Sequence, residues 1–219
     1  MKITEKTPHS WQRCLLLVVG LVIMAFGVAF SIKASLGTSP ISSLPYTLSV
    51  IVGPLTVGTA TICLHCVLVL LQILLLRKQF EIFQLLQLVV AIIFGYVTDF
   101  AIWVISGVSY SAYWQQWIYC IIGILLVALG VSCEVTSRVT TLAGEGLVLA
   151  ICRVTKLKFG NVKVCFDVSL VIIACILGLV FTGQLQGVRE GTIAAAICVG
   201  LISKRFNIPL GKLEEKYLS

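Results

Sequence analysis

Residues 31–48, SIKASLGTSPISSLPYTL, follow a long apolar run and precede a short apolar piece, SVIVG. The stretch carries eight hydroxyl-bearing residues, a lysine, a glycine and two prolines. It lies where a second membrane helix would begin. Backbone in lipid must satisfy its own hydrogen bonds, so so polar and broken a stretch survives at membrane depth only against protein or a cavity. Its reading decides whether the chain crosses a bilayer six times or eight.

The rest of the chain sets that context. Of 219 residues, 59% are hydrophobic and 11% charged, against about 45–50% and about 25% in soluble domains. Runs of about 18 or more uncharged apolar residues mark membrane helices. The sequence predicts an all-α polytopic membrane protein with spans near 14–32, 56–76, 82–105, 116–134, 163–182 and 190–204. The first run is too long for a cleaved signal and reads as a transmembrane helix. Two apolar pieces, 40–52 and 141–152, reach only about 18–20 Å as helix, short of a hydrocarbon core about 30 Å thick.

The chain repeats itself. GLVIMAFGVAF from Gly20 matches GILLVALGVSC from Gly123, with Gly27 matching Gly130. VGTATICLHCVLVLL matches FGNVKVCFDVSLVII, aligning Gly58 with Gly160, and Gly95 aligns with Gly200. Each short piece follows the first span of its copy. The expected architecture is two inverted repeats of three spans, each with a re-entrant half-helix. Its parts are a cytoplasmic N-terminus at 1–13, repeats at 14–105 and 117–206, an external loop at 106–116 and a cytoplasmic tail at 207–219. The alternative is eight spans in two parallel four-helix repeats.

Basic residues favour cytoplasmic loops. With six spans and both termini inside, all of the 16 Lys and Arg except Lys33 and Arg189 fall on the cytoplasmic side. Eight spans would move Arg77, Lys78 and Arg138 outside as well. The rule prefers six, and it accounts for the +7 charge without nucleic acid.

A half-helix start presents free N–H groups and partial positive charge, which suit anions. In Thr38-Ser39-Pro40, Thr38 or Ser39 can cap and Pro40 suits the first turn. Thr140-Thr141 holds the matching place. The candidate solute site is therefore Lys33, Ser35, Gly37, Thr38, Ser39, Ser42 and Ser43, with Arg138, Thr140, Thr141 and Glu145. Ionisable residues within spans are functional candidates by default: His65, Asp99 and Asp167, with a His65–Asp167 pair open because the two match in the repeat. Glu134 and Arg138, one turn apart, are expected to pair, as are Arg189 and Glu190.

The nine cysteines lie mostly in apolar runs and read as buried free thiols. Cys63 and Cys66 enclose His65, but no second cluster completes a metal site. No HExxH, GxSxG or phosphate loop is present, so no enzyme activity and no cofactor is expected.

VAFSIKASLGTSPISSLPYTLS, the later LTVGTATI, and GQLQGVREGT ahead of VREGTIAAAICVGLISKRF resemble the YczE/YyaS/YitT group of small bacterial membrane proteins, from about Trp11 to Phe206. FEIFQLLQLVVAIIFG departs from that pattern. The resemblance implies a bacterial inner membrane and a transport role, and supplies no substrate. The expected function is a transporter or facilitator of a small anion or zwitterion. The alternatives are a passive channel and a non-transporting membrane partner of another system. Expected partners are the bilayer, the solute and, left open, a second copy of the chain.

Overall fold

The computed structural model describes residues 10–217. Lys2 and Lys6, counted above as cytoplasmic, and most of the 1–13 segment lie outside the described residues, as do the side chains of Lys212 and Lys216. The described chain is helical throughout: α1 (Ser10–Lys33), α2 (Pro40–Ile51), α3 (Val57–Leu76), α4 (Leu86–Val104), α5 (Tyr113–Ser137), α6 (Ala143–Thr155), α7 (Phe159–Thr182) and α8 (Glu190–Tyr217). Single 3-10 turns join α3 to α4. Six helices are long and apolar enough to cross a membrane. The other two, α2 and α6, have 12 and 13 residues and occupy the two short apolar pieces of the sequence.

The core is the crossing of α1 on α5. Gly20 faces Gly130 and Gly27 faces Gly123, so the sequence numbers rise on one helix as they fall on the other, and the two run antiparallel. A Cβ at Gly27 would lie 2.7 Å from the Val127 backbone nitrogen, and one at Gly130 2.6 Å from the Gly20 carbonyl. Glycine lets the backbones approach this closely, as small residues do between membrane helices. Leu17, Leu21, Met24 and Val28 fill the adjoining layer with Val90, Phe94, Val127 and Leu142.

The remaining helices pack around this pair. α4 lies on α1 and α8 on α5; α2 packs on α7 and α3 on α6. α3 and α4 pack closely, Gly58 against the Gly95 carbonyl. α7 and α8 hardly touch, and a Cβ at Gly160 or Gly200 would have nothing within 4 Å. Leu44 of α2 and Ala143 and Leu147 of α6 pack against the middle of α3 (Leu64, Leu68, Val69) and of α7 (Leu170, Ala174). The first turns of the short helices meet there, since a side chain at Gly144 would strike Ile41.

Two features differ from expectation. α8 continues past Phe206 to Tyr217, through Pro209; the Lys, Leu and Glu residues of 212–216 favour its last turns. It thereby carries Glu214 to Arg13 (3.2 Å) and Arg138 (2.8 Å). The cysteines are free, but Cys14, Cys63, Cys66 and Cys165 are exposed rather than buried; they lie on outward faces of long helices, where a small apolar side chain suits lipid contact.

Candidate functional site

A cavity of about 250 Å³ opens beside the α1–α2 linker, between it, α2 and the α7–α8 loop. Its walls include Ser31, Ser35, Gly37, Thr38, Tyr46, Gln184, Gln186, Gly187 and Arg189. The linker is held in place by the α7–α8 loop and the start of α8. Thr38 N–H donates to the Gly187 carbonyl (3.0 Å), Gly191 N–H to the Leu36 carbonyl (2.8 Å) and Arg189 Nη1 to the Ser35 carbonyl (3.0 Å). Thr47 Oγ1 donates to the Gln186 carbonyl at 2.9 Å. Gly37 is fixed by geometry: its φ is +92°, and a Cβ there would lie 2.6 Å from Arg189 N and against Thr192 Oγ1. Gly37→Ala is expected to lose about 1–3 kcal/mol from the strained dihedral alone, read as a lower melting temperature of the purified protein. An unchanged melting curve would mean the linker is not held this way.

The start of α2 is short of acceptors. Thr38 is 1% exposed and its Oγ1 has no hydrogen-bond partner. Pro40 takes the first helical position as expected, and Ser39 the N-cap, but Ser39 Oγ donates to Ser42 Oγ (3.0 Å) and caps nothing. Ser43 Oγ is spent on the Pro40 carbonyl at 2.7 Å. Ser42 and Ser43 N–H both reach the Ser39 carbonyl. The N–H groups of Ser39 and Ile41 find no acceptor among the described residues.

The start of α6 is occupied. Glu134, 2% exposed on α5, accepts the Leu142 N–H on Oε1 at 2.6 Å. Glu134 therefore does not pair with Arg138, as expected from their spacing. Arg138 takes a left-handed φ of 53° that ends α5 and turns its side chain to Glu214. Gln72 Nε2 donates to Gln87 Oε1 (3.0 Å) and to the Ala143 carbonyl (3.1 Å), while Gln72 Oε1 is left without a partner. Gly146 makes room for this pair: a Cβ there would lie 2.6 Å from Gln87 Nε2. Glu145 is in electrostatic contact with Lys163 and Asp167 of α7.

The predicted site residues thus divide. Ser35, Gly37 and Thr38 line the cavity; Ser39, Ser42 and Ser43 lie on the α2 turn behind it. Lys33 ends α1 nearby but donates to the Ser106 carbonyl (2.8 Å). Thr140, Thr141 and Glu145 belong to the separate α6 start, and Arg138 to the Glu214 clasp. His65 and Asp167 do not pair: His65 is 2% exposed with Nδ1 unpartnered and its ring edge-on to Phe94, while Asp167 binds Lys163 at 2.6 Å. Asp99 caps α3, accepting from Thr56 Oγ1 (2.6 Å) and Gly58 N–H (2.7 Å). Arg189 and Glu190 do pair, at 3.3 Å. Sequence reading missed Gln72 and Gln87 because only ionisable residues were weighed inside spans. It also missed Tyr46, Gln184, Gln186 and Arg189 as cavity walls, although GQLQGVREGT had stood out as a pattern.

Six apolar helices, two short helices and a polar cavity define the class: a multi-pass α-helical membrane protein. Within that class the chain belongs to a family of unknown function, DUF6198, whose model matches residues 11–208. It is similar to the uncharacterized protein YyaS of Bacillus subtilis (strain 168), 27% identical over 191 residues, covering 86% of this chain and 92% of that protein. This agrees with the YyaS-type resemblance of the sequence. No solved structure matches the chain.

Proposed function

We propose that this protein transports a small anion or zwitterion across the bacterial inner membrane, through two inverted three-span repeats with re-entrant half-helices. The carrying observation is the polar cavity at the acceptor-poor start of α2, with Thr38 Oγ1 buried and unpartnered. Inverted repeats with broken helices whose N-termini meet the substrate are a common transporter design.

The helix packing supports the repeat. Exchanging α1 with α5, α2 with α6, α3 with α7 and α4 with α8 turns one set of packed pairs into the other, apart from α3–α4. The antiparallel crossing of α1 and α5 makes such an exchange an inversion. α2 leaves the end where α1 stops and leads to α3, which begins at that same end, as the Gly58–Asp99 and Lys33–Ser106 bonds indicate. Of the two basic residues assigned to the outside, Arg189 lines the cavity and Lys33 ends α1 next to the lining residue Ile32. On this reading the mouth of the cavity faces outward and both termini are cytoplasmic.

Solute flux into proteoliposomes tests this reading. Thr38→Val with Arg189→Gln is expected to slow uptake of the transported solute about tenfold or more, from the loss of charge-assisted hydrogen bonds. Undiminished uptake by a correctly folded double variant would remove the cavity from the pathway. Accumulation against a gradient separates a transporter from a passive channel.

A further inference from the structure

Ser31 and Glu134 hold the same place in the two halves. The register that matches Gly20 with Gly123 matches Ser31 with Glu134, and the contacts agree. A Cβ at Gly20 would lie 3.3 Å from Glu134 N, and one at Gly123 3.0 Å from Ser31 N. In the second half the Glu134 carboxylate accepts the Leu142 N–H at the start of α6. The same register matches Leu142 with Ser39, whose N–H has no acceptor. Ser31 cannot supply one: its side chain is too short and its hydroxyl donates to the Gly27 carbonyl at 3.0 Å. Where a carboxylate reaches the second short helix, the first has the cavity, walled by Ser31 and Thr38.

We infer that the cavity binds a small carboxylate, seated where the Glu134 carboxylate sits in the other half. This rests on the transport reading above and narrows its substrate class. The Thr38 hydroxyl, 1% exposed and unpartnered on the cavity wall, donates to a carboxylate oxygen, and the unmet Ser39 N–H is the next donor along the chain. No acidic residue lines the cavity, and Arg189 stands on its wall. The volume of about 250 Å³ leaves room for a carboxylate of a few carbons. A carboxylate is planar with two acceptor oxygens, and buried N–H and O–H donors at a helix start satisfy it directly.

The test uses the purified full chain in detergent, with acetate as probe and chloride and phosphate at equal ionic strength as comparators. Acetate is expected to raise the melting temperature saturably, and the comparators to do so far less. Ser31→Glu places the carboxylate internally: this variant is expected to melt higher without ligand and to lose the acetate response. Thr38→Val, which leaves the backbone intact, is expected to weaken acetate about tenfold, read by saturation-transfer NMR on the acetate methyl group; it carries the test if Ser31→Glu does not fold. Equal stabilisation by phosphate or chloride, no response to acetate, or an acetate response unchanged in both variants would overturn the inference. If acetate binds with these sensitivities but no carboxylate crosses proteoliposomes, the transport reading fails and the site stands. If flux occurs for a solute that carboxylates do not compete, the site inference fails and transport stands.

Discussion

Cysteines placed at 160 and 200, in a chain otherwise free of cysteine, are expected to form a disulfide in the membrane that stops solute flux, with reduction restoring it. α3 and α4 are closed on each other at Gly58 and Gly95, while their repeat mates Gly160 and Gly200 stand in open space. A disulfide requires Cβ atoms about 3.5–4.5 Å apart, whereas α7 and α8 hardly touch and both glycines face open space. Bridging therefore needs a second conformation in which α7 and α8 come together. The proposed inverted repeat supplies it: the halves exchange roles, α7 closing on α8 as α3 parts from α4, so that the cavity shuts on one face and opens on the other. Holding one state removes turnover, so uptake should fall by about tenfold or more, in proportion to the bridged fraction. A pair that never bridges under oxidant, or bridged protein that transports at full rate, would sink the exchange.

This asymmetry also explains why one short helix has an open start and the other a filled one. At α6, Glu134 takes the Leu142 N–H and Gln72 the Ala143 carbonyl, and Gln87 packs against Gly146 beneath the closed α3–α4 pair. At α2, the neighbouring α7–α8 pair is open, and the Thr38 hydroxyl and the Ser39 and Ile41 N–H groups are unmet. On the transport reading, one repeat supplies its own carboxyl oxygen and the other takes one from a solute.

Much of the fold was legible because lipid imposes simple rules. Six runs long enough to span became six long helices, and the pieces too short to span became α2 and α6 within two residues of the expected ends at three of four boundaries. Glycine register was informative for the same reason: Gly20, Gly27, Gly123 and Gly130 mark a backbone approach that no other residue permits. The partners of polar side chains were less legible. Glu134 and Arg138 are ideally spaced for a helical pair, yet Arg138 is the residue at which the helix ends, and its left-handed backbone sends the side chain elsewhere. His65 and Asp167 match in the repeat, but matching positions meet only near the axis, and there α1 and α5 stand instead. Gln72 and Gln87 carry no charge to draw notice, although an amide in lipid needs a partner almost as strictly. The cavity walls at Gln184, Gln186 and Arg189 come from a segment some 150 residues from Ser35, a juxtaposition that only the packing of α2 on α7 and of α8 on α5 creates.

Glu134→Leu is expected to lower the melting temperature by roughly 2–12 °C. The change leaves the Leu142 N–H buried without an acceptor, a cost of about 1–3 kcal/mol, and each kcal/mol shifts a chain of this size by about 2–4 °C. Glu134→Gln keeps an oxygen where Oε1 now accepts, so it should recover most of the loss; if it melts as low as the leucine variant, the carboxylate matters for a reason other than capping. Glu134→Ser is more discriminating. It gives α6 the residue that α1 presents to α2, and with it an unfilled helix start. Added acetate should then restore part of the lost stability by occupying the vacated place, and the calorimetric stoichiometry should rise from one site to two. The rescue must be absent in Glu134→Leu, where the side chain fills the space without offering an oxygen. Equal rescue of the serine and leucine variants would mean that acetate acts elsewhere, and that the likeness between Ser31 and Glu134 is one of position alone.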